Sequence, residues 1–198
     1  VESTPGRLIH MDICGPLPES KLGRHKYAMI LVDDSTRFKM GLALRSRDEA
    51  GAHIGRFLSR FNSLAAHSQG RISKVGTLLT DGAREFLSHA VQHLLDEHGV
   101  NKIEAPPEVH ALNGVAERAI LSIFTQVRAH LEQSNAPKGF WPEAMAHSID
   151  VLNRVTGATP RPLQLVRRSD YGAATHNEHP TVGLPRLGAD AGTHTLET

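Results

Sequence analysis

The feature that most constrains the fold of this chain is a change in hydrophobic period near residue 46. Before it, residues 7–14 alternate between apolar and polar, residues 27–32 form a short apolar run, and residues 38–45 alternate again. Alternation with a period of two is typical of strands with one buried face. Short connections between three such segments predict an antiparallel meander.

After residue 46 the apolar residues recur at helical spacing. A helix is predicted from Ala50 to Leu64, with Ser46 and Glu49 at the spacing of a capping box. The pattern then predicts a strand, a helix, a brief strand and two helices, at 75–80, 87–95, 102–105, 113–131 and 137–152. This order predicts an α/β domain with a mixed five-stranded sheet flanked by helices.

The length of the chain favours one domain, since 198 residues bury a single core. We expect this core to span residues 1–157. Residues 158–198 are rich in Gly, Pro, Thr and Arg without a sustained period, and are expected to form an irregular tail.

No run approaches the roughly 18 apolar residues of a membrane span, so no membrane partner is expected. The single cysteine, Cys14, excludes an internal disulfide and a zinc knuckle, and we expect it to be buried.

Three carboxylates fall at the ends of predicted elements. Asp12 lies in or after the first strand, Asp81 follows the fourth, and Glu117 lies in the first turns of the long helix. If the first and fourth strands are neighbours, these side chains can converge into an oxygen cluster of the type that Mg²⁺ prefers. The alternative is structural: Asp81-Gly82 is a common turn pair, and Glu117 is a favourable charge near a helix N-terminus.

Local motifs around these residues favour the first interpretation. Their sequences are HMDICGP (10–16), VDDSTR (32–37), TDGAREF (80–86), NGVAER (113–118), FWPEA (140–144) and Asn153-Arg154. Between Asp81 and Glu117 lie 35 residues. In order and spacing, these segments resemble the integrase core of copia-type long-terminal-repeat retrotransposons, over roughly residues 7–160. In VDDSTR, residues 33–34 are interpreted as shaping a turn that fixes Arg37.

The resemblance implies an RNase H-like fold, related to retroviral integrases, within a retroelement polyprotein. It implies that Asp12, Asp81 and Glu117 are the catalytic triad and hold two Mg²⁺ or Mn²⁺ ions. The implied reaction removes nucleotides from a DNA 3′ end and then joins the new 3′-OH to target DNA. Because the nucleophile is water or a DNA hydroxyl, no covalent enzyme intermediate is expected.

The implied partners are the element-end DNA, target DNA and further copies of the chain in a homo-oligomer. Candidate DNA contacts are Asn113, Arg118, Lys21, Arg24, Lys26 and Arg128. The expected location is the nucleus, after a stage in a cytoplasmic virus-like particle. Two alternatives stay open because Gly82 directly follows Asp81, where the family has asparagine. These are a nuclease of the same fold without strand transfer, and a decayed or domesticated module that only binds nucleic acid.

Overall fold

The computed structural model describes residues 2–68, 70, 72–81, 89–105 and 113–155, with Leu64, Asp81 and Ala105 described in their backbone alone. The predicted tail at 158–198 lies outside these residues. In chain order, the elements are β1 (Leu8–Cys14), β2 (Tyr27–Asp33), β3 (Lys39–Leu44), α1 (Ala50–His67), β4 (Thr77–Asp81), α2 (His89–His98), β5 (Asn101–Ala105), α3 (Gly114–Gln133) and α4 (Trp141–Val155). Short 3-10 turns at Arg47–Glu49 and Lys138–Phe140 precede α1 and α4.

The five strands form one mixed sheet in the order β3-β2-β1-β4-β5. β1, β2 and β3 are antiparallel neighbours, as the predicted meander requires. β4 and β5 are added in parallel on the other side of β1. The predicted mixed five-stranded sheet is thus confirmed, and β1 lies at its centre.

Each face of the sheet is covered by a layer of helices, because the strand residues alternate between two apolar cores. One core contains Ile9, Met11 and Ile13 of β1 with the buried side of α1. The other contains Ile30 of β2 with buried residues of α3 and α4. We refer to these as the α1 face and the α3 face of the sheet. Side chains at alternate positions of a strand point to opposite faces, so His10, Asp12 and Cys14 belong to the α3 face.

Two local predictions about helix starts were wrong. Ser46 makes no side-chain cap hydrogen bond, and Glu49 instead accepts the Arg45 backbone N–H at 2.9 Å. Asn113 stands at the N-cap position of α3, as predicted, but its side chain makes no capping bond. Glu49 thus turns to Arg45, and the Asn113 amide nitrogen turns to the Met11 carbonyl of β1.

No helix in the described ranges is both long enough and apolar enough to span a bilayer.

Candidate active site

The backbone of the sheet places residues 12 and 81 side by side. β1 and β4 run in parallel with Met11 opposite Thr80, and the next position along each strand is Asp12 and Asp81. Neighbouring strands lie about 4.8 Å apart. The first and fourth strands are therefore neighbours, which is the condition for the two side chains to converge, and both aspartates lie towards the carboxyl ends of the parallel pair.

Asp12 lies on the central strand β1, and its side chain points to the α3 face of the sheet. Its backbone lies opposite Ile30 of β2, and its side chain is half-buried. One carboxylate oxygen, Oδ1, accepts the N–H of Ile13 at 2.7 Å. This bond fixes the carboxylate close to its own strand.

Glu117 enters the same region from α3. Its side chain is exposed, and its backbone N–H donates to the Asn113 carbonyl at 3.2 Å. The start of α3 lies against β1, where the Asn113 amide approaches the Met11 carbonyl. Backbone N–H groups at a helix start favour a carboxylate in the first turn. The structure therefore brings Asp12, position 81 and the helix turn that carries Glu117 to one end of the sheet.

No set of three or more His, Cys, Asp or Glu side chains is close enough to hold a metal within the residues whose side chains are described. The side chain of Asp81 is outside that set, so this observation does not bear on the triad. The three oxygen donors remain a prediction.

Cys14 follows Asp12 on the α3 face and is half-buried rather than fully buried as expected. Burial raises the pKa of the thiol to about 11, and the nearby Asp12 carboxylate contributes to the increase. The raised pKa makes the thiol a weak nucleophile at neutral pH.

The motif at residues 32–37 has a role that the sequence indicated only in part. Asp33 is fully buried and accepts the Gly6 N–H at 2.7 Å, together with the N–H and hydroxyl of Thr36 at 2.8 and 2.6 Å. Asp34 binds the Arg37 guanidinium at 2.8 Å, as interpreted from the sequence. These bonds fix the chain before β1 to the turn after β2.

The sequence did not predict a buried pair between His10 and Asp34. His10 Nε2 lies 3.0 Å from Asp34 Oδ1, and both side chains are about 5% exposed. Burial lowers the pKa of His10 despite the neighbouring carboxylate, and Nε2 is the donor because a carboxylate oxygen accepts. Burial opposes ionisation of Asp34, but the Glu2 N–H, His10 and Arg37 hold its pKa below the ordinary value. The only sequence signal was a histidine and an acidic pair in two separate motifs.

The candidate DNA contacts fall into two groups of exposed cations and one buried amide. Lys21, Arg24 and Lys26 lie on the β1–β2 loop, where Glu19 binds Arg24 at 2.8 Å and Lys26 at 3.3 Å. These two hydrogen bonds hold the pKa of Glu19 below its ordinary value. Glu19, which the sequence did not single out, therefore offsets part of the charge of the loop.

The loop is attached to the start of α4. The Trp141 indole N–H donates to the Pro18 carbonyl at 2.8 Å, and the Lys21 N–H donates to the Gly139 carbonyl at 2.9 Å. A side-chain carbon at Gly139 would lie 2.9 Å from Lys21 Cγ, so glycine permits this close approach. Trp141 is 3% exposed and packs in the core on the α3 face of the sheet.

The remaining candidates lie on α3. Arg118 and Arg128 are exposed, with the Arg118 guanidinium over Gly114 and Arg128 Nη2 3.4 Å from the Thr125 hydroxyl. Asn113 differs from them because it is only 3% exposed and its side chain faces β1. Its predicted contact with DNA does not agree with this position.

Comparison with known proteins identifies relatives of this chain in sequence. No family model matches the chain. The chain is 29% identical over 147 residues to the retrovirus-related Pol polyprotein from transposon TNT 1-94 of Nicotiana tabacum, covering 74% of this chain and 11% of the relative. It is 29% identical over 139 residues to the polyprotein from transposon RE1 of Arabidopsis thaliana, covering 70% and 9%. The Ty1-NL2 Gag-Pol polyprotein of Saccharomyces cerevisiae is 23% identical over 165 residues, covering 83% and 9%. The chain thus spans about a tenth of the length of these relatives.

A solved structure gives the fold. The HTLV-2 integrase catalytic core domain, in complex with magnesium and in a dimeric form, superposes with a TM-score of 0.55 at 18% identity. The match covers 77% of this chain and 89% of that domain. The fold is therefore RNase H-like, of the integrase catalytic core type. Together with the transposon Pol polyproteins among its sequence relatives, this fold supports an integrase-like module, and the predicted resemblance to a copia-type integrase core is confirmed.

Proposed function

We propose that this chain is the catalytic core of a retroelement integrase. It removes nucleotides from the 3′ end of the element DNA and transfers the new 3′-OH to a phosphodiester of target DNA. The observation that carries this proposal is the adjacency of Asp12 and Asp81 on parallel strands, with the first turn of α3 over the same end of the sheet.

The donor set fits divalent cations of the magnesium type. Asp12, Asp81 and Glu117 offer only carboxylate oxygens, which hard cations such as Mg²⁺ and Mn²⁺ prefer. These three residues would hold two such ions. When bound, the pair of ions supplies charge that activates the attacking oxygen and stabilises the leaving oxygen of an in-line phosphoryl transfer.

The chain itself supplies position and charge. The Ile13 N–H orients the Asp12 carboxylate, and α3, which carries Glu117 in its first turn, begins against β1. Lys21, Arg118 and Arg128 are exposed cations suited to holding DNA phosphates. In the proposed reaction, water attacks in the first step and a DNA hydroxyl attacks in the second.

The partners that this reaction requires are element-end DNA, target DNA and further copies of the chain, since two ends are joined by more than one active site. Action on chromosomal DNA places the protein in the nucleus, after assembly in a cytoplasmic virus-like particle.

The test is a strand-transfer assay with labelled element-end duplexes in Mg²⁺ or Mn²⁺. We expect joined products from the native chain, reduced at least about 100-fold by Asp12→Asn, Asp81→Asn or Glu117→Gln. Glu132→Gln, an exposed glutamate near the other end of α3, is the matched control and keeps activity.

Three outcomes separate the alternatives. Joining that depends on the triad supports an integrase. Metal-dependent cleavage without joining indicates a nuclease of the same fold. DNA binding with no metal-dependent chemistry indicates a decayed or domesticated module, and contradicts both enzyme functions.

A further inference from the structure

Asn113 is more deeply buried than a side chain that contacts DNA needs to be. It directly precedes α3, it is 3% exposed, and its carbonyl accepts the N–H of Glu117 at 3.2 Å. A polar side chain this deeply buried normally has hydrogen-bond partners for each of its polar atoms. The side chain of Asn113 is satisfied on one side only.

The satisfied side is the amide nitrogen. Asn113 Nδ2 lies 3.5 Å from the carbonyl oxygen of Met11, a long hydrogen bond across the α3 face. Met11 immediately precedes Asp12 and lies opposite Thr80, which immediately precedes Asp81. Reversing the amide would direct its oxygen at the Met11 carbonyl oxygen, and two acceptors repel each other. The side chain is therefore oriented with Nδ2 towards the strand that carries Asp12.

The unsatisfied side is the amide oxygen. Asn113 Oδ1 is buried and has no hydrogen-bond partner among the described residues. A buried acceptor without a donor is unfavourable. The neighbouring triad residues are carboxylates, which when ionised accept hydrogen bonds and donate none. These carboxylates therefore cannot supply the missing donor, whereas a water molecule can.

We propose that Asn113 is a positioning residue of the metal site, with Oδ1 accepting a hydrogen bond from a water ligand of the cation held by the triad. Its Nδ2 keeps the start of α3 on β1. This inference rests on the proposed function, since it requires that Asp12, Asp81 and Glu117 bind a cation. Such partners behind the direct ligands orient bound water, and their removal weakens metal binding about 10- to 100-fold.

The experiment measures Mn²⁺ binding to the 198-residue chain without DNA, from the loss of the free Mn²⁺ electron paramagnetic resonance signal. We expect Asn113→Leu, similar in size but without polar atoms, to weaken Mn²⁺ binding about 10-fold or more. Asn113→Asp keeps an acceptor and should bind at least as tightly as the native chain.

A matched control distinguishes this role from a purely structural one. Gln126, also on α3, has a buried Oε1 without a partner among the described residues, and Gln126→Leu should leave the Mn²⁺ affinity unchanged. Thermal melts establish that each variant is folded; a structural role alone lowers the melting temperature without changing the Mn²⁺ affinity of the folded fraction.

Two results overturn the inference in distinguishable ways. Mn²⁺ binding by the native chain that is unchanged in Asn113→Leu, or equally weakened in Asn113→Asp or Gln126→Leu, overturns the role of Asn113 alone. No Mn²⁺ binding by the native chain overturns the proposed function and, with it, this inference.

Discussion

Asn153 pairs with both backbone polar groups of Lys39. Its Oδ1 accepts the Lys39 N–H at 2.9 Å, and its Nδ2 donates to the Lys39 carbonyl at 2.8 Å. Lys39 opens the edge strand β3, and Asn153 lies near the end of α4 and is 2% exposed. The Asn153 side-chain amide therefore pairs with the backbone of β3 as a neighbouring strand would. Without such a partner, the edge of a sheet offers unpaired N–H and C=O groups to other chains.

Removal of this amide is expected to destabilise the fold. Asn153→Ala leaves two buried backbone groups without partners, at a cost of about 2–4 kcal/mol. The free energy of unfolding in urea measures the loss. Asn153→Asp keeps the acceptor but directs its second oxygen at the Lys39 carbonyl, so it should also be less stable than the native chain. An equal stability of Asn153→Ala and the native chain would contradict this role.

The buried carboxylate of Asp33 is expected to control the segment that precedes β1. Asp33→Ala removes the acceptor for the Gly6 N–H and for two donors of Thr36, and should cost about 3 kcal/mol because bonds to a charged group are strong. Limited proteolysis should then cleave within residues 2–7 faster than in the native chain. Asp48→Asn, at an exposed position, serves as the control; equal cleavage of all three proteins would refute the prediction.

The reactivity of Cys14 should report on the charge of Asp12. With a thiol pKa of about 11, alkylation by iodoacetamide is slow at pH 7.5 and accelerates as the pH approaches the pKa. The Asp12 carboxylate raises this pKa, so Asp12→Asn should lower it and increase the rate at a fixed pH of 8–9. Rates measured by mass spectrometry across this pH range test the prediction, which fails if the variant reacts more slowly.

Glu19 is expected to weaken the attraction of the β1–β2 loop for DNA. Glu19→Gln frees the cations of Arg24 and Lys26, so the affinity for a duplex of arbitrary sequence should rise severalfold and depend more steeply on salt. Fluorescence anisotropy at several salt concentrations measures both quantities. Glu97→Gln, which changes the same charge on α2, is the control, and an equal rise in both variants would show a general charge effect.

The order of strands and helices could be predicted because each element carries its own hydrophobic period. The limits of the elements were less accurate where loop residues are also buried. Val75, for example, was assigned to the fourth strand, but its N–H donates to the Asn62 side chain at 3.0 Å and β4 begins at Thr77. Val75 is an apolar residue buried in a loop, and its apolar character was mistaken for the start of the strand.

The candidate site was predictable to the extent that its residues lie in continuous motifs. The proximity of Asp12 and Asp81 followed from assuming that the first and fourth strands are neighbours, which the parallel pairing confirms. The buried pair of His10 and Asp34 and the inward position of Asn113 depend on how distant segments pack. No local pattern in the sequence carries that information.

The parallel pairing of β1 with β4 also determines when the site can exist during folding. The meander of β1, β2 and β3 closes through local turns, whereas residues 12 and 81 meet only after α1 has been placed across the sheet. Contacts between distant parts of a chain form slowly, because the entropy of closing a long loop is lost before the contact is gained. We therefore expect residues 12 and 81 to meet late in folding, and a nascent chain that ends before β4 lacks the second of these two aspartates.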